Sequence, residues 1–336
     1  MNIRVVLLSV LVAASSASAW YLSRNEQSVV ATPSSSVLDG LAQQSDAIEY
    51  VKIESATKVV FEAKRDEGKW QATHLDSAQR FPVDTKALST LIRKLAQATI
   101  VEKKTENEKL YPRLGVEDPK RDGAESMLLT LEDAEQQWQL IVGNVSKSRR
   151  GQFIRHPDQS ASYLIDRAVS LPLSSAEWLN KRIVPATMQE LNEARFWQPE
   201  KQELVISQSS EESLQWQAGA VEGEQVQTFP ASSLSYPGVL TQALEDIFAF
   251  NYLQVAPFSQ ADWETQTLAG KVDMTLLDGE RILVEVSAAN ELDQYQVHFD
   301  MPESPSWVSD WVFTVSGYQG RAFLLSSEAI TGAAGQ

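Results

Sequence analysis

Hydrophobic and polar positions along this chain form a series of short alternating runs, and the series occurs twice. In each copy, runs with a period of two predict strands before and after one helical pattern. The corresponding points in the two copies are the runs at 51–53 and 204–206, Trp70 and Trp216, Phe81-Pro82 and Phe229-Pro230, the helical patterns at 88–95 and 240–248, and the paired runs that begin at Met127 and Val272. Such internal repetition constrains the architecture more than any other feature of the sequence.

The repeat predicts an α+β fold of two tandem similar modules, each a mainly antiparallel sheet with a packed helix. Tight turns such as Asp278-Gly279 join consecutive runs, which is typical of antiparallel hairpins. The predicted division is a signal peptide or membrane anchor at 1–24, a flexible linker at 25–46, a first module at 47–168, a connecting helix at 169–198, a second module at 199–328 and a tail at 329–336.

The N-terminal segment predicts export from the cytoplasm by one of two routes. A basic start, Met1 to Arg4, precedes a run from Val5 to Ser23 that has no charged residue. Cleavage at the small-residue site Ala17-Ser-Ala19 would release a soluble periplasmic protein. Retention of the run as a transmembrane helix would tether the protein to the inner membrane, with Trp20-Tyr21 at the interface. Membrane contact is then expected only through residues 5–23.

The net charge of the chain limits the classes of partner that it is expected to bind. Lys and Arg number 29 against 45 Asp and Glu, which gives a net charge of −16. Nucleic acid is therefore not expected as a partner, because binding to phosphate needs a basic surface. The chain has no cysteine, so disulfides, thiolate nucleophiles and a lipoprotein anchor are excluded.

The sequence contains no recognisable catalytic or metal-binding motif. Phosphate-binding glycine loops, nucleophile elbows and the zinc-protease pattern do not occur. The histidines, His74, His156 and His298, are far apart in sequence and are expected to be ordinary solvated or edge residues. We therefore predict no catalytic residue, no cofactor and no metal site, and a protein that is not an enzyme.

Two features remain as candidates for binding. Lys147, Arg149, Arg150 and Arg155 form a basic island in an acidic chain, which is either a contact site for an acidic partner or a solvated hairpin turn. The second feature is the content of nine Trp, a residue type that fills cores, anchors interfaces or binds sugars. The Trp residues outside the repeated positions include Trp178, Trp197, Trp307 and Trp311.

Four short motifs resemble those of the domain-of-unknown-function 4340 family. They are Leu110-Tyr-Pro-Arg-Leu-Gly-Val-Glu-Asp-Pro119, Leu140-Ile-Val-Gly143, Phe153-Ile-Arg155 and Trp178-Leu-Asn-Lys-Arg-Ile183. The resemblance covers most of residues 1–185 and the second module more loosely. It implies an envelope protein with no assigned activity, and an accessory role beside ABC-type transporters of the gliding-motility kind. It supplies no catalytic residues.

These observations together favour a non-catalytic, periplasm-facing accessory or scaffold protein. Its expected partner is a membrane or periplasmic protein complex, and an ABC-type transporter is the partner that the resemblance favours. The alternative is a module that binds glycan or peptide in the cleft between the two repeats.

Overall fold

The computed structural model describes residues 35–332 except 76, 148, 149, 211, 212 and 305, and these residues form two antiparallel sheets of nine strands each. The first sheet comprises β1 (Tyr50–Glu54), β2 (Val59–Asp66), β3 (Lys69–Ala72), β4 (Phe81–Pro82), β5 (Ile100–Lys103), β6 (Met127–Glu132), β7 (Gln137–Val145), β8 (Gln152–Arg155) and β9 (Ser162–Ile165). The second comprises β10 (Leu191–Trp197), β11 (Leu204–Ser210), β12 (Ser213–Glu222), β13 (Gln225–Thr228), β14 (Gln254–Pro257), β15 (Leu268–Leu276), β16 (Arg281–Ser287), β17 (Gln294–Asp300) and β18 (Trp311–Ser316).

Seven α-helices lie among the strands of the described residues, and most are single turns. The helices are α1 (Leu41–Gln44), α2 (Thr85–Ala96), α3 (Tyr111–Leu114), α4 (Val239–Phe248), α5 (Gln260–Trp263), α6 (Gly317–Ala322) and α7 (Ser327–Thr331). The predicted tail at 329–336 therefore begins inside a helix, where Ile330 is buried.

The strand order of the two sheets is the same, which confirms the predicted pair of modules. The first sheet runs β4-β3-β2-β1-β6-β7-β8-β9-β5, and the second runs β13-β12-β11-β10-β15-β16-β17-β18-β14. Each sheet has its longer helix, α2 or α4, between its fourth and fifth strands. Trp70 and Trp216 both lie on the third strand of their sheet and pack against the core.

Helix α2 forms as its sequence predicts. Asp84 occupies the N-cap, and its carboxylate accepts hydrogen bonds from the backbone N–H groups of Lys86 and Ala87. The apolar residues at helical spacing, Leu88, Leu91, Ile92 and Leu95, are all buried.

The predicted connecting helix at 169–198 is wrong. The helical structure of this segment is limited to two single 3-10 turns, Ser175–Glu177 and Met188–Glu190, and strand β10 follows the second turn. Strand β10 buries Ala194 and Phe196 at a spacing of two and turns Arg195 outward. The second sheet therefore begins before residue 199, because β10 is its first strand. The predicted match of the runs at 51–53 and 204–206 is wrong, since β1 corresponds to β10, and 204–206 lies in β11, the counterpart of β2.

The predicted flexible linker at 25–46 is wrong for the part that the structure describes. Residues 35–46 pack against the first module, where Val37, Leu38 and Leu41 are buried. Ser36 bridges Thr99 beside β5, so this segment covers one edge of the first sheet. Burial of three apolar side chains offsets the entropy that ordering this segment costs.

Aromatic side chains join the two modules. Phe81, at the β4 edge of the first sheet, has its ring centroid 5.0 Å from that of Trp307 and 5.1 Å from that of Trp311. The Tyr252 hydroxyl donates to the carbonyl oxygen of Asn180 over 2.9 Å. Buried residues of both sheets form one continuous hydrophobic cluster, so the contact between the modules around Phe81 is filled by side chains.

The predicted signal or anchor segment at 1–24 lies outside the described residues. Among the residues that are described, none of the helices is long and apolar enough to cross a membrane.

Candidate functional site on the outer face of the second sheet

The basic island does not form a single surface. Lys147 and Arg150 are exposed on the turn between β7 and β8, where the sequence predicted them. Arg149 lies outside the described residues. Arg155 is only 7% exposed, so its predicted place in an exposed contact is wrong.

Arg155 is instead a structural residue beneath the first module's outer face. Its Nε donates to the carbonyl oxygen of Val116 over 2.9 Å, and its Nη1 donates to that of Gln159 over 3.1 Å. The guanidinium lies 4.8 Å from the centre of the Tyr111 ring, which is a cation–π contact. A buried Arg needs such partners, because an unsatisfied buried charge is costly.

The segment that carries the Tyr-Pro-Arg-Leu-Gly motif covers this face. Tyr111 and Val116 pack on Ile141 of β7, and Leu114 packs beside them. Gly115 ends α3 in the left-handed conformation, with φ at 65°. A Cβ on Gly143 of β7 would lie 2.5 Å from the Leu114 carbonyl oxygen, so the segment rests directly on the strand. The motif therefore closes the first module's outer face by packing.

The three histidines are not brought together. His74 lies beside Phe61, with the ring centroids 5.6 Å apart. His156 follows β8, and burial lowers its pKa below the usual value. His298 lies on β17 in the second module. The expectation of ordinary solvated or edge positions is wrong for His298, which is 7% exposed, stacked on Phe258 and close to the tilted ring of Trp263.

One row of paired residues distinguishes the outer faces of the two sheets. In each sheet this outer row crosses the four central strands in the same order, β1-β6-β7-β8 or β10-β15-β16-β17. The first outer row is Glu54–Leu128–Ile141–Arg155. The second is Trp197–Lys271–Glu285–His298. The apolar pair Leu128–Ile141 of the first sheet is thus replaced by the charged pair Lys271–Glu285 in the second. In the same way, Arg155 is replaced by His298.

The segments that cover the two outer rows also differ in length. Residues 104–126 connect β5 to β6 and cover the first row, whereas the shorter connection at 258–267 links β14 to β15. The second row is left beside an open groove of about 510 Å³. We call this the second-sheet groove, and its lining includes Trp197, Phe258, Trp263, Lys271, Glu285 and His298.

Stacked rings form one wall of the second-sheet groove. The rings of Phe258 and His298 are nearly parallel, at 10°, with centroids 3.7 Å apart. The Trp263 ring lies 5.7 Å from that of His298. The Nε2–H of His298 donates to the Ser309 carbonyl oxygen over 3.0 Å, which leaves Nδ1 as the acceptor of the neutral ring. Burial lowers the pKa of His298, so the ring is neutral near pH 7.

Paired charges line the rest of the groove. Glu285 accepts from the indole Nε1–H of Trp263 at 2.7 Å and from Lys271 Nζ at 2.6 Å. Burial alone would raise the pKa of Glu285, but the hydrogen bonds from Lys271 and Trp263 lower it below its usual value. Arg195 bonds in the same way to Glu193 at 2.6 Å and to Glu203 at 3.3 Å. Each of these charges is therefore held by a partner.

In this arrangement the charged groups of Lys271, Glu285 and Arg195 already have partners. The Glu285 carboxylate and the Lys271 ammonium group form an ion pair, and the His298 ring is hydrogen-bonded to the Ser309 carbonyl oxygen. In the described part of the chain, no group of three or more His, Cys, Asp or Glu residues is placed to hold a metal ion.

The family whose description reads "Domain of unknown function (DUF4340)" matches residues 70–269, more than half of the chain. The chain belongs to this family. The DUF4340 match contains all four motifs from which the resemblance was inferred, and it runs from β3 into β15, so it extends well into the second module. Comparisons with curated proteins and with solved structures found no match.

The second-sheet groove was not predicted from the sequence. Its charged residues alternate with buried ones along β10, β15 and β16, a pattern that indicates a strand with a solvated face and nothing more. The available signal was Trp197, which follows Glu193 and Arg195 at a spacing of two and so shares the polar face of β10.

Proposed function

We propose that this DUF4340 protein is a non-catalytic accessory or scaffold component of an envelope complex and that it faces the periplasm. The observation that carries the proposal is the filled aromatic contact around Phe81, which joins two sheets of equal topology through one hydrophobic core. A body of this kind presents fixed surfaces to its partners, which suits a component that positions others. The family resemblance favours an ABC-type transporter as the partner.

The compartment is part of the proposal and rests on the sequence. The basic start, the uncharged run at 5–23 and the absence of cysteine support export. A reporter enzyme that is active only in the periplasm, fused after Gln336, should be active. Cytoplasmic activity of the fusion would contradict the proposal. Alkaline extraction of membranes, followed by intact-mass measurement, decides between an uncleaved anchor and a mature protein that begins at Trp20.

Site-specific photo-crosslinking tests the scaffold role. A photoreactive amino acid is placed singly at Lys147, on the exposed turn, and at Leu173, which is 63% exposed on the connecting segment. We expect one membrane protein to be captured reproducibly from cells at one of these positions and not at the other. Capture of no protein, or of the same abundant proteins at both positions, would contradict a defined place in a complex.

The second-sheet groove favours a second candidate function, the binding of a glycan or peptide. Its stacked rings and paired charges form a concave polar and aromatic surface of a size typical of ligand sites, which span about 300–1,000 Å³. The candidate surface proposed here is one sheet face, whereas the sequence suggested the cleft between the modules. Saccharide or peptide recovered with the purified protein would favour this candidate over the scaffold role.

A further inference from the structure

We propose that the second-sheet groove is a saccharide-binding site whose ligand is a neutral sugar chain. This inference rests on the second candidate function and gives it a ligand class. The outer row Trp197–Lys271–Glu285–His298 supplies the contacting groups, and the corresponding row of the first sheet, beneath the Tyr111 segment, is closed. The two modules therefore differ at the one place where the shorter connection leaves a sheet face open.

The wall of the groove is rigid before any ligand binds. Phe258 is stacked on His298, and the indole N–H of Trp263 is fixed by Glu285. Side chains held in this way lose little conformational entropy on binding, so their contacts contribute more to affinity. Trp197 is 43% exposed at the end of β10 and offers a free aromatic face. The C–H face of a sugar ring is apolar and packs on such a surface.

The pairing of charges selects against a charged ligand. The Glu285 carboxylate is held by Lys271, and the Arg195 guanidinium is held by Glu193 and Glu203. An ionic ligand that binds to Glu285, Lys271 or Arg195 would have to displace the partner of that group and leave the partner uncompensated. A sugar hydroxyl avoids this cost, because it can donate to the carboxylate and accept from the neighbouring ammonium group at once.

The position of the groove within the sheet disfavours a peptide ligand. Extended peptides bind sheets through main-chain hydrogen bonds at a free edge. The groove lies on the face of β10, β15, β16 and β17, and each of these strands has a paired neighbour on both sides. Recognition on this face therefore depends on side chains alone. An anionic polymer is also disfavoured, since the lining carries Glu203, Asp273, Glu285 and Asp300 against Arg195 and Lys271.

Isothermal titration calorimetry on the purified full chain tests the inference. The probes are neutral trisaccharides of glucose, galactose, mannose and N-acetylglucosamine, and the comparison ligands are an anionic trisaccharide of galacturonic acid and the peptide trilysine. We expect at least one neutral trisaccharide to bind more tightly than either charged ligand. If no neutral trisaccharide binds at millimolar concentration, or if a charged ligand binds better, the inference is wrong.

Two variants locate the binding. Trp197→Ala should weaken the affinity for the trisaccharide by roughly tenfold or more, because an exposed Trp in a binding surface is a typical hot spot. Tyr236→Ala is the matched control, since Tyr236 is 49% exposed and does not line the groove. Both substitutions are at exposed positions and should leave the unfolding midpoint unchanged. Binding that survives Trp197→Ala, or that is lost equally in Tyr236→Ala, would overturn the assignment to this groove.

The same variants separate this inference from the scaffold proposal. Trp197→Ala should leave crosslinking from Lys147 or Leu173 intact, because neither position lies in the groove. A protein that is captured by its partner but binds no neutral trisaccharide refutes the sugar site and leaves the scaffold role standing. A protein that binds the sugar through Trp197 without capturing any partner establishes the site and refutes the scaffold role.

Discussion

Arg155 and Arg150 are the same residue type in one basic run, but their surroundings give them different roles. Arg150 is exposed on the β7–β8 turn, whereas the buried Arg155 donates to Val116 and Gln159 and lies against Tyr111. We expect Arg155→Ala to lower the free energy of unfolding by about 2–4 kcal/mol, because buried carbonyl groups lose a charged donor. Urea titration followed by circular dichroism measures the loss.

Arg150→Ala is the matched control for that prediction. An exposed substitution away from special features changes stability by no more than about 0.5 kcal/mol, so the unfolding midpoint should hardly move. Equal effects of the two substitutions would mean that Arg155 does not stabilise the first module's outer face as described.

His298 makes the stability of the second module depend on pH. Burial lowers its pKa, and the Ser309 carbonyl group and the nearby Asp300 and Glu285 oppose that shift without cancelling it. The unfolded chain therefore binds a proton at a higher pH than the folded protein does. Stability from this residue is present above the unfolded pKa, about 6.5, and is lost as the pH falls through the folded pKa.

We expect the free energy of unfolding to decrease between pH 7.5 and pH 5.5, and to decrease less in His298→Gln. Glutamine keeps a donor for the Ser309 carbonyl group but does not titrate in this range. His156, whose pKa burial also lowers, contributes in the same direction, so His156→Gln serves as the comparison. Urea midpoints measured across this range give the slopes. An unchanged slope in His298→Gln would contradict a neutral, buried His298.

At the scale of elements, the sequence predicts those helices and hairpins that are stabilised by residues close together in the chain. Helix α2 was predictable because Asp84 caps it and its apolar residues follow the helical period. The hairpin of β15 and β16 was predictable from alternation and the Asp278-Gly279 turn. Strand β10 was missed because its buried residues, Leu191, Ala194 and Phe196, form only a short run, and the strands that pair with it, β11 and β15, become its neighbours only in the folded sheet.

The open groove could not be predicted for a related reason. It depends on the pairing of Trp197 with Lys271, which joins strands β10 and β15 that are distant in sequence. It also depends on how far the connection at 258–267 reaches across the sheet, and its length alone does not determine that. Arg155 was misplaced because a basic run looks the same in sequence whether a residue points into the core or into solvent.

The N-cap of α2 gives a prediction at this scale. Asp84→Ala should lower the free energy of unfolding by about 1 kcal/mol, because the N–H groups of Lys86 and Ala87 lose their acceptor. Asp84→Asn is the control, since asparagine caps helices about as well, and it should cost much less. Thermal unfolding of both variants distinguishes them. A loss of equal size in Asp84→Asn would show that the carboxylate charge, and not the cap, is what matters.

At the scale of the whole molecule, the same set of elements occurs twice, but the edges and outer faces of the two sheets differ in how far they are buried. The β4 edge of the first sheet ends in Phe81, which is completely buried against residues of the second module. The corresponding β13 edge of the second sheet has four exposed residues and is followed by the half-buried Phe229. The first module is therefore closed on its outer face and at this edge, whereas the second is open at both, which concentrates the available binding surface in the second module.

The two phenylalanines test whether the joint couples the modules. We expect Phe81→Ala to lower the free energy of unfolding by about 3–5 kcal/mol, as for a large aromatic side chain removed from a core. Phe229→Ala is the matched control at the corresponding position, and its partial exposure should limit the loss to roughly 1 kcal/mol.

Urea unfolding is monitored by tryptophan fluorescence and by circular dichroism. The two probes should give coincident transitions for the wild type and separate ones for Phe81→Ala, because only the wild type keeps the aromatic contact that makes both sheets unfold together. Equal losses from the two substitutions, or coincident transitions in Phe81→Ala, would show that the modules are coupled by something other than this contact.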